Sequence, residues 1–350
     1  MRYARLLGLS LVALLAGCGL VELALAIRES RAEAERARVG SYYAWSFYTT
    51  DGTRIGPGTG PLQLVLKPYV LFGNRPDQAT PQFTVDGMGF RDAGRRSNPG
   101  APRVVVLGGS TAFGTGLGSD GETFAHQLGR LLGVEVINAA VIGYHSSEAL
   151  VDLVMRLVDL RPSLIVTLDG WNDFRVRPYF VALEAHLERS YRFFDAGALV
   201  RIASIPSLLY PRSTRRLEDL LAAIRSPGRA NPDDPLDVAV ASAAYARNIA
   251  AMHRLGGAFG FDVLCLIQPQ KPGLGPGYQA FRDRVVGRLA EAGVRYVDLN
   301  AAPHRDRLPA ARFMDEVHVD GVGHRIMAEI AAEEIRRAGL LARPTGPGPR

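Results

Sequence analysis

Ser110 lies in the run Gly108-Gly109-Ser110-Thr111, directly after the short apolar segment Val104 to Leu107. Small flanking residues let a serine stand exposed, and a hydroxyl becomes a nucleophile when a base sits beside it. The chain offers such a base near its C-terminus, where Asp315-Glu316-Val317-His318 places an acid and an imidazole three positions apart. Two further segments carry groups suited to the negative charge of a tetrahedral intermediate. Asn138-Ala139-Ala140-Val141-Ile142-Gly143 ends in a glycine whose backbone N–H could face an oxyanion, and Gly170-Trp171-Asn172-Asp173 offers the Asn172 amide. The four segments stand in the order that a Ser-His-Asp enzyme needs. A phosphate loop is the competing use of glycines after a strand. However, the run Gly108 to Gly116 has no P-loop lysine and does not fit G-x-G-x-x-G.

These segments need elements to hold them. From Arg103 onward the pattern repeats as strand, loop and helix, the sequence mark of a parallel sheet covered on both faces. Val104 to Leu107, Val134 to Asn138, Leu164 to Leu168, Val263 to Ile267 and Tyr296 to Leu299 are short, apolar and rich in branched residues. Thr123 to Leu132, Glu148 to Leu160 (capped by Ser146 or Ser147) and Gly323 to Ala338 have helical spacing. The fold expected is a flavodoxin-like three-layer α/β/α sandwich around a five-stranded parallel sheet. Ser110, Gly143 and Asn172 then follow the carboxyl ends of three strands, where open α/β sheets place ligands. Upstream, Leu62 to Leu66 and Gln82 to Val85 read as strands, and the glycines of Asp86-Gly87-Met88-Gly89-Phe90-Arg91 predict a turn with positive φ.

The four segments resemble blocks I, II, III and V of the SGNH/GDSL hydrolases over Arg103 to Ala338. G-x-N-D and D-x-x-H match fully, whereas Gly109 and Thr111 replace the aspartate and leucine of Gly-Asp-Ser-Leu. Val85 to Arg91 is similar to the asparagine-glycine-phenylalanine-arginine segment that precedes the domain in membrane-anchored bacterial members. The resemblance implies that Ser110 attacks an ester carbonyl, His318 takes its proton and Asp315 orients the imidazole. It also implies an oxyanion hole of the Ser110 N–H, the Gly143 N–H and the Asn172 amide. Trp171 and Asp173 are candidates for lining the substrate site; the other readings are packing under the loop for Trp171 and fixing the loop by hydrogen bonds for Asp173. His126 and His145 read as surface or hydrogen-bonded histidines, and His324 as a residue that caps or packs in the last helix. The histidines are too dispersed for a metal cluster and no H-E-x-x-H occurs, so hydrolysis without metal or cofactor is expected.

Composition sets the remaining limits. With 47% hydrophobic and 22% charged residues, the 350-residue chain is globular, and wholesale disorder is excluded. The net charge of +6 comes from arginines scattered among acids, without interleaved aromatics, so no nucleic-acid partner is expected. Cys18 and Cys265 make neither a disulfide framework nor a zinc site, and Cys265 reads as a small core residue.

The apolar stretch Leu6 to Ile27, about 22 residues, is long enough to span a bilayer as a signal anchor. Leu15-Ala16-Gly17-Cys18 also resembles a lipoprotein cleavage box, and a plain cleaved signal is the third reading. The organisation expected is an anchor or lipoprotein signal (1–28), a linker and loop-rich extension (29–100), the hydrolase domain (101–340) with an insertion (174–237), and a disordered tail (341–350). Export would put the bulk of the chain on the periplasmic or extracellular side of a bacterial envelope. The activity expected is cleavage of a short acyl ester on an acylated small molecule, glycan or lipid. An O-acyltransferase using the same triad and an inactive, membrane-tethered binding module are the alternatives. No protein partner can be named.

Overall fold

The computed structural model describes residues 16–17, 19–28, 31, 45–48, 54–55, 61–67, 69–70, 72–91, 101–175, 235–273 and 275–341. The chain divides into two compact units, residues 42–180 with 232–350, and residues 1–41 with 181–231. In the second unit the described residues, 16–17, 19–28 and 31, are helical. Most of the expected anchor, including Cys18, lies outside the described residues, as do most of the 174–237 insertion and residues 342–350. Among the described residues no helix is long and apolar enough to cross a membrane.

The larger unit opens with four short strands, β1 (Trp45–Tyr48), β2 (Arg54–Ile55), β3 (Leu62–Leu66) and β4 (Phe72–Asn74), in a sheet of order β2-β1-β3-β4. A two-stranded ladder follows, β5 (Gln78–Ala79) with β6 (Thr84–Val85). The expected strand from Gln82 begins two residues late, because the Thr80 hydroxyl accepts the N–H groups of Gln82 and Phe83 in a tight turn. Gly89 turns the chain at φ 84°, and Arg91 then bonds by its N–H to the Asn138 carbonyl at 3.1 Å.

The main sheet contains β7 (Arg103–Gly108), β8 (Glu135–Asn138), β9 (Leu164–Asp169), β10 (Asp262–Ile267) and β11 (Arg295–Asp298). All neighbours pair in parallel in the order β11-β10-β9-β7-β8. Numbered within the sheet this is 2-1-3-4-5, the flavodoxin-like order. Among the described residues of this unit the α-helices are α1 (Ser110–Phe113), α2 (Phe124–Leu132), α3 (Ser146–Met155), α4 (Trp171–Arg175), α5 (Pro235–Phe259), α6 (Pro276–Glu291), α7 (His304–Arg307) and α8 (Gly321–Arg337).

Alternation along each strand sends side chains to two helical layers. Val104 and Val106 share one core with Phe124 and Leu128 of α2 and Met327 and Ala331 of α8. Val105 and Leu107 share the other with Leu153 of α3, Tyr245 and Ile249 of α5 and Phe281 of α6. Both faces are covered, which explains why the central strands β7, β9 and β10 are largely apolar runs. Chain order reverses on either side of β7, so the turns after β7 and β9 meet at the switch point of the sheet.

α3 departs from expectation at both ends. It stops at Met155, where Arg156 leaves helical geometry at φ −145° and a 3-10 turn takes over at Leu157–Leu160. Its N-cap is His145 rather than a serine. The Glu148 carboxylate accepts the His145 backbone N–H at 3.1 Å and lies 3.1 Å from its Nδ1. Ser146 is inside the first turn, its hydroxyl committed elsewhere.

Candidate active site

The turn after β7 is built by close approach. Gly108 has φ 146°, and a Cβ there would stand 2.2 Å from the Leu168 carbonyl oxygen on β9. A Cβ on Gly109 would meet the Asn172 amide nitrogen at 2.7 Å and the Tyr144 carbonyl oxygen at 3.2 Å. A side chain at position 109 would therefore run into the asparagine of the third segment. Ser110 then opens α1, its N–H in a first turn that has no intrahelical acceptor.

Ser110 and His318 meet across the fold. The Ser110 Oγ lies 2.7 Å from His318 Nε2, and His318 Nδ1 lies 2.8 Å from Asp315 Oδ2. Asp315 is itself fixed, since its Oδ1 accepts the backbone N–H groups of Val317 and His318, both at 2.8 Å. A carboxylate at Nδ1 favours the tautomer with its proton on Nδ1, which leaves Nε2 to accept from the hydroxyl. Thr111, in the place of the family leucine, ties this loop to the sheet. Its hydroxyl accepts from Gln268 Nε2 at 2.7 Å and faces the Val317 carbonyl at 3.4 Å. Gln268 follows β10, and no motif marked it; only the fold brings it to Thr111.

On the other side of Ser110, Asn172 Nδ2 donates to the Tyr144 carbonyl at 2.8 Å. One amide hydrogen is thereby spent on orientation, and the second is left to point elsewhere. Gly143 has φ 83°, and the ring edge of Phe72 stands 3.5 Å from where its Cβ would be. The Tyr144 hydroxyl donates to the Phe72 carbonyl at 2.5 Å, which joins β4 to this loop.

Asp173, a candidate for lining the substrate site, does not reach the surface. It is 1% exposed and turned inward, where it accepts the Ser146 N–H and, at 2.5 Å, the Ser146 hydroxyl. Asn248 of α5 holds the same hydroxyl at 2.9 Å. Asp169, at the end of β9, accepts from the Tyr245 hydroxyl at 2.6 Å. Burial pushes the Asp169 carboxyl up to about 8, and the Asp173 charge adds to the shift. Burial raises the Asp173 carboxyl as well, so the pair resists carrying two negative charges in the interior.

Trp171 packs edge-on against Tyr278 with ring centres 5.3 Å apart, and against Phe174 at 5.5 Å. His324 is fully buried and accepts the Phe124 N–H at 3.0 Å; burial, with Arg91 nearby, lowers its pKa to about 3, so it is neutral. Cys265 is buried against the Tyr245 hydroxyl at 3.4 Å.

A three-layer parallel sheet with a hydroxyl, an imidazole and a carboxylate joined at its carboxyl edge is the architecture of an ester-bond hydrolase. More narrowly, the chain belongs to the GDSL-like lipase/acylhydrolase family, whose model matches residues 106–326. Among solved structures it is similar to a GDSL-like lipase from Bacteroides thetaiotaomicron, at 15% identity, covering 67% of this chain and 88% of that one with a TM-score of 0.39. It is also similar to an acetylxylan esterase from Geobacillus stearothermophilus, at 14% identity, covering 67% and 95% with a TM-score of 0.42. No curated protein matches the chain.

Proposed function

We propose that the chain is a serine esterase that removes a short acyl group from a glycan or lipid of the bacterial envelope or its surroundings. Ser110 is the nucleophile, His318 the general base and then the general acid, and Asp315 the partner that orients and stabilises the imidazolium. The observation that carries this is the unbroken series from Ser110 Oγ through both His318 nitrogens to Asp315, at 2.7 and 2.8 Å. The hydroxyl proton passes to Nε2 as the oxygen bonds to the ester carbon, and it is returned to the departing alcohol. The Ser110 N–H, the Gly143 N–H and the Asn172 amide bind the carbonyl oxygen as it becomes negative. Water then repeats the sequence on the acyl-serine. A small acyl group is suggested by the Phe72 ring edge, which stands 3.5 Å from the Cβ position of Gly143.

The test is a panel of p-nitrophenyl esters of increasing acyl length, followed by product analysis with an activated acetyl ester in the presence of oligosaccharides. Turnover is expected to be highest with acetyl and propionyl esters, with free acetate as the main product. Acetylated sugar formed faster than acetate would make the protein an acyltransferase.

The apolar N-terminal stretch supports a second element of the proposal, that the chain is held at the membrane by an uncleaved anchor with its bulk outside the cytoplasm. The full-length protein is expected to fractionate with membranes, and Cys18→Ser to change nothing. Palmitate labelling that is lost in Cys18→Ser would establish a lipoprotein instead.

A further inference from the structure

α1, which starts with Ser110, is a single turn, too short to hold itself together. Its last carbonyls need partners from outside. The Asn138 amide lies 3.2 Å from the Ala112 carbonyl and 3.3 Å from that of Phe113. The guanidinium of Arg91 donates to the Phe113 carbonyl at 3.0 Å and the Gly114 carbonyl at 2.6 Å. Arg91 is 5% exposed, with Phe113 and Phe83 rings 5.0 and 5.8 Å from its guanidinium carbon. Its Nε donates to Asp120 at 2.7 Å, and its remaining nitrogen to the Gln82 carbonyl at 3.0 Å. Asp120 is steadied in turn by the Thr84 N–H and hydroxyl, at 2.9 and 2.6 Å.

The two carbonyls that Arg91 holds belong to particular peptide groups. The Phe113 carbonyl shares its peptide with the Gly114 N–H, and the Gly114 carbonyl shares its peptide with the Thr115 N–H. Both of those N–H groups donate to the carbonyl of Ser110, each at 3.0 Å. The guanidinium is therefore joined to the backbone of Ser110 through two peptide units, each of which it orients and polarises.

We propose that Arg91 is a positioning residue for Ser110: from the segment ahead of the main sheet, it fixes the turn that aims the hydroxyl at His318. The assignment rests on Ser110 being the nucleophile. Arg91 acts only through the backbone, so its loss should slow acylation and leave substrate binding intact. Lysine cannot replace it, because one ammonium lacks the planar fork that reaches three carbonyls and a carboxylate together.

The experiment compares Arg91→Lys and Arg91→Met with wild type, after counting active sites by titration with a fluorophosphonate and mapping the labelled residue by mass spectrometry. The expected result is a kcat per titrated site lower by about tenfold to a hundredfold. KM should stay within about twofold, labelling should slow in parallel with kcat, and Ser110 should remain the labelled residue. If Arg91→Met does not fold, Arg91→Lys decides. A native circular dichroism spectrum with wild-type kcat per titrated site would overturn the proposal, because a merely structural arginine lowers the number of working sites and not the speed of each. Labelling of a residue other than Ser110 in the wild type would instead remove the nucleophile assignment on which the proposal stands.

Discussion

Ser110→Ala is expected to lower ester turnover by at least about a thousandfold while the circular dichroism spectrum and melting temperature stay close to wild type. His318→Ala should do the same. Ser110 opens a one-turn helix whose backbone is held by Asn138 and Arg91, so the hydroxyl can be deleted without loosening the turn. The two losses should not multiply: without the hydroxyl there is no proton for the imidazole to take, and the double variant should be no worse than either single one. Kinetics on p-nitrophenyl acetate with the full-length protein measures this directly. Wild-type turnover in a folded Ser110→Ala variant would show that the nucleophile is another group.

Asn172→Ala should cost about a hundredfold to a thousandfold in kcat, with KM little changed, because an oxyanion donor acts on charge that develops only in the transition state. The amide also holds the Tyr144 carbonyl and fills the space beside Gly109, so a modest drop in melting temperature will accompany the loss. The division between kcat and KM separates the two roles. A variant with kcat within about threefold of wild type would mean that Asn172 serves the loop and not the developing negative charge.

The sheet was legible because its central strands are buried on both faces, and Val104 to Leu107 or Val263 to Ile267 cannot be read as anything half-exposed. The turns were legible where close approach forces a residue type, as at Gly108. What could not be read were partnerships made in space. Ser146 is a good N-cap by type, yet Asp173, 27 positions on, claims its hydroxyl and leaves the cap to His145. Asp173 in the G-x-N-D run is polar and next to Asn172, but its surroundings are the interior, with Ser146 as its partner. Gln268 and Arg91 sit in no catalytic block, and their partners Thr111 and Gly114 are 157 and 23 positions away. Periodicity reports which face of an element is buried; it carries no record of which distant group will need a hydrogen bond.

The hydroxyl and the imidazole are separated by 208 positions. During synthesis from the N-terminus, the segment bearing Ser110 is therefore finished long before the loop bearing His318 exists. Until that loop is made and docked beside α1, the serine has no proton acceptor and is an ordinary alcohol. If the chain is exported as proposed and crosses the membrane before it folds, it would thus be chemically silent in transit, and its activity would begin with the last contacts of folding. The sequence separation of the two groups thus acts as a safety catch.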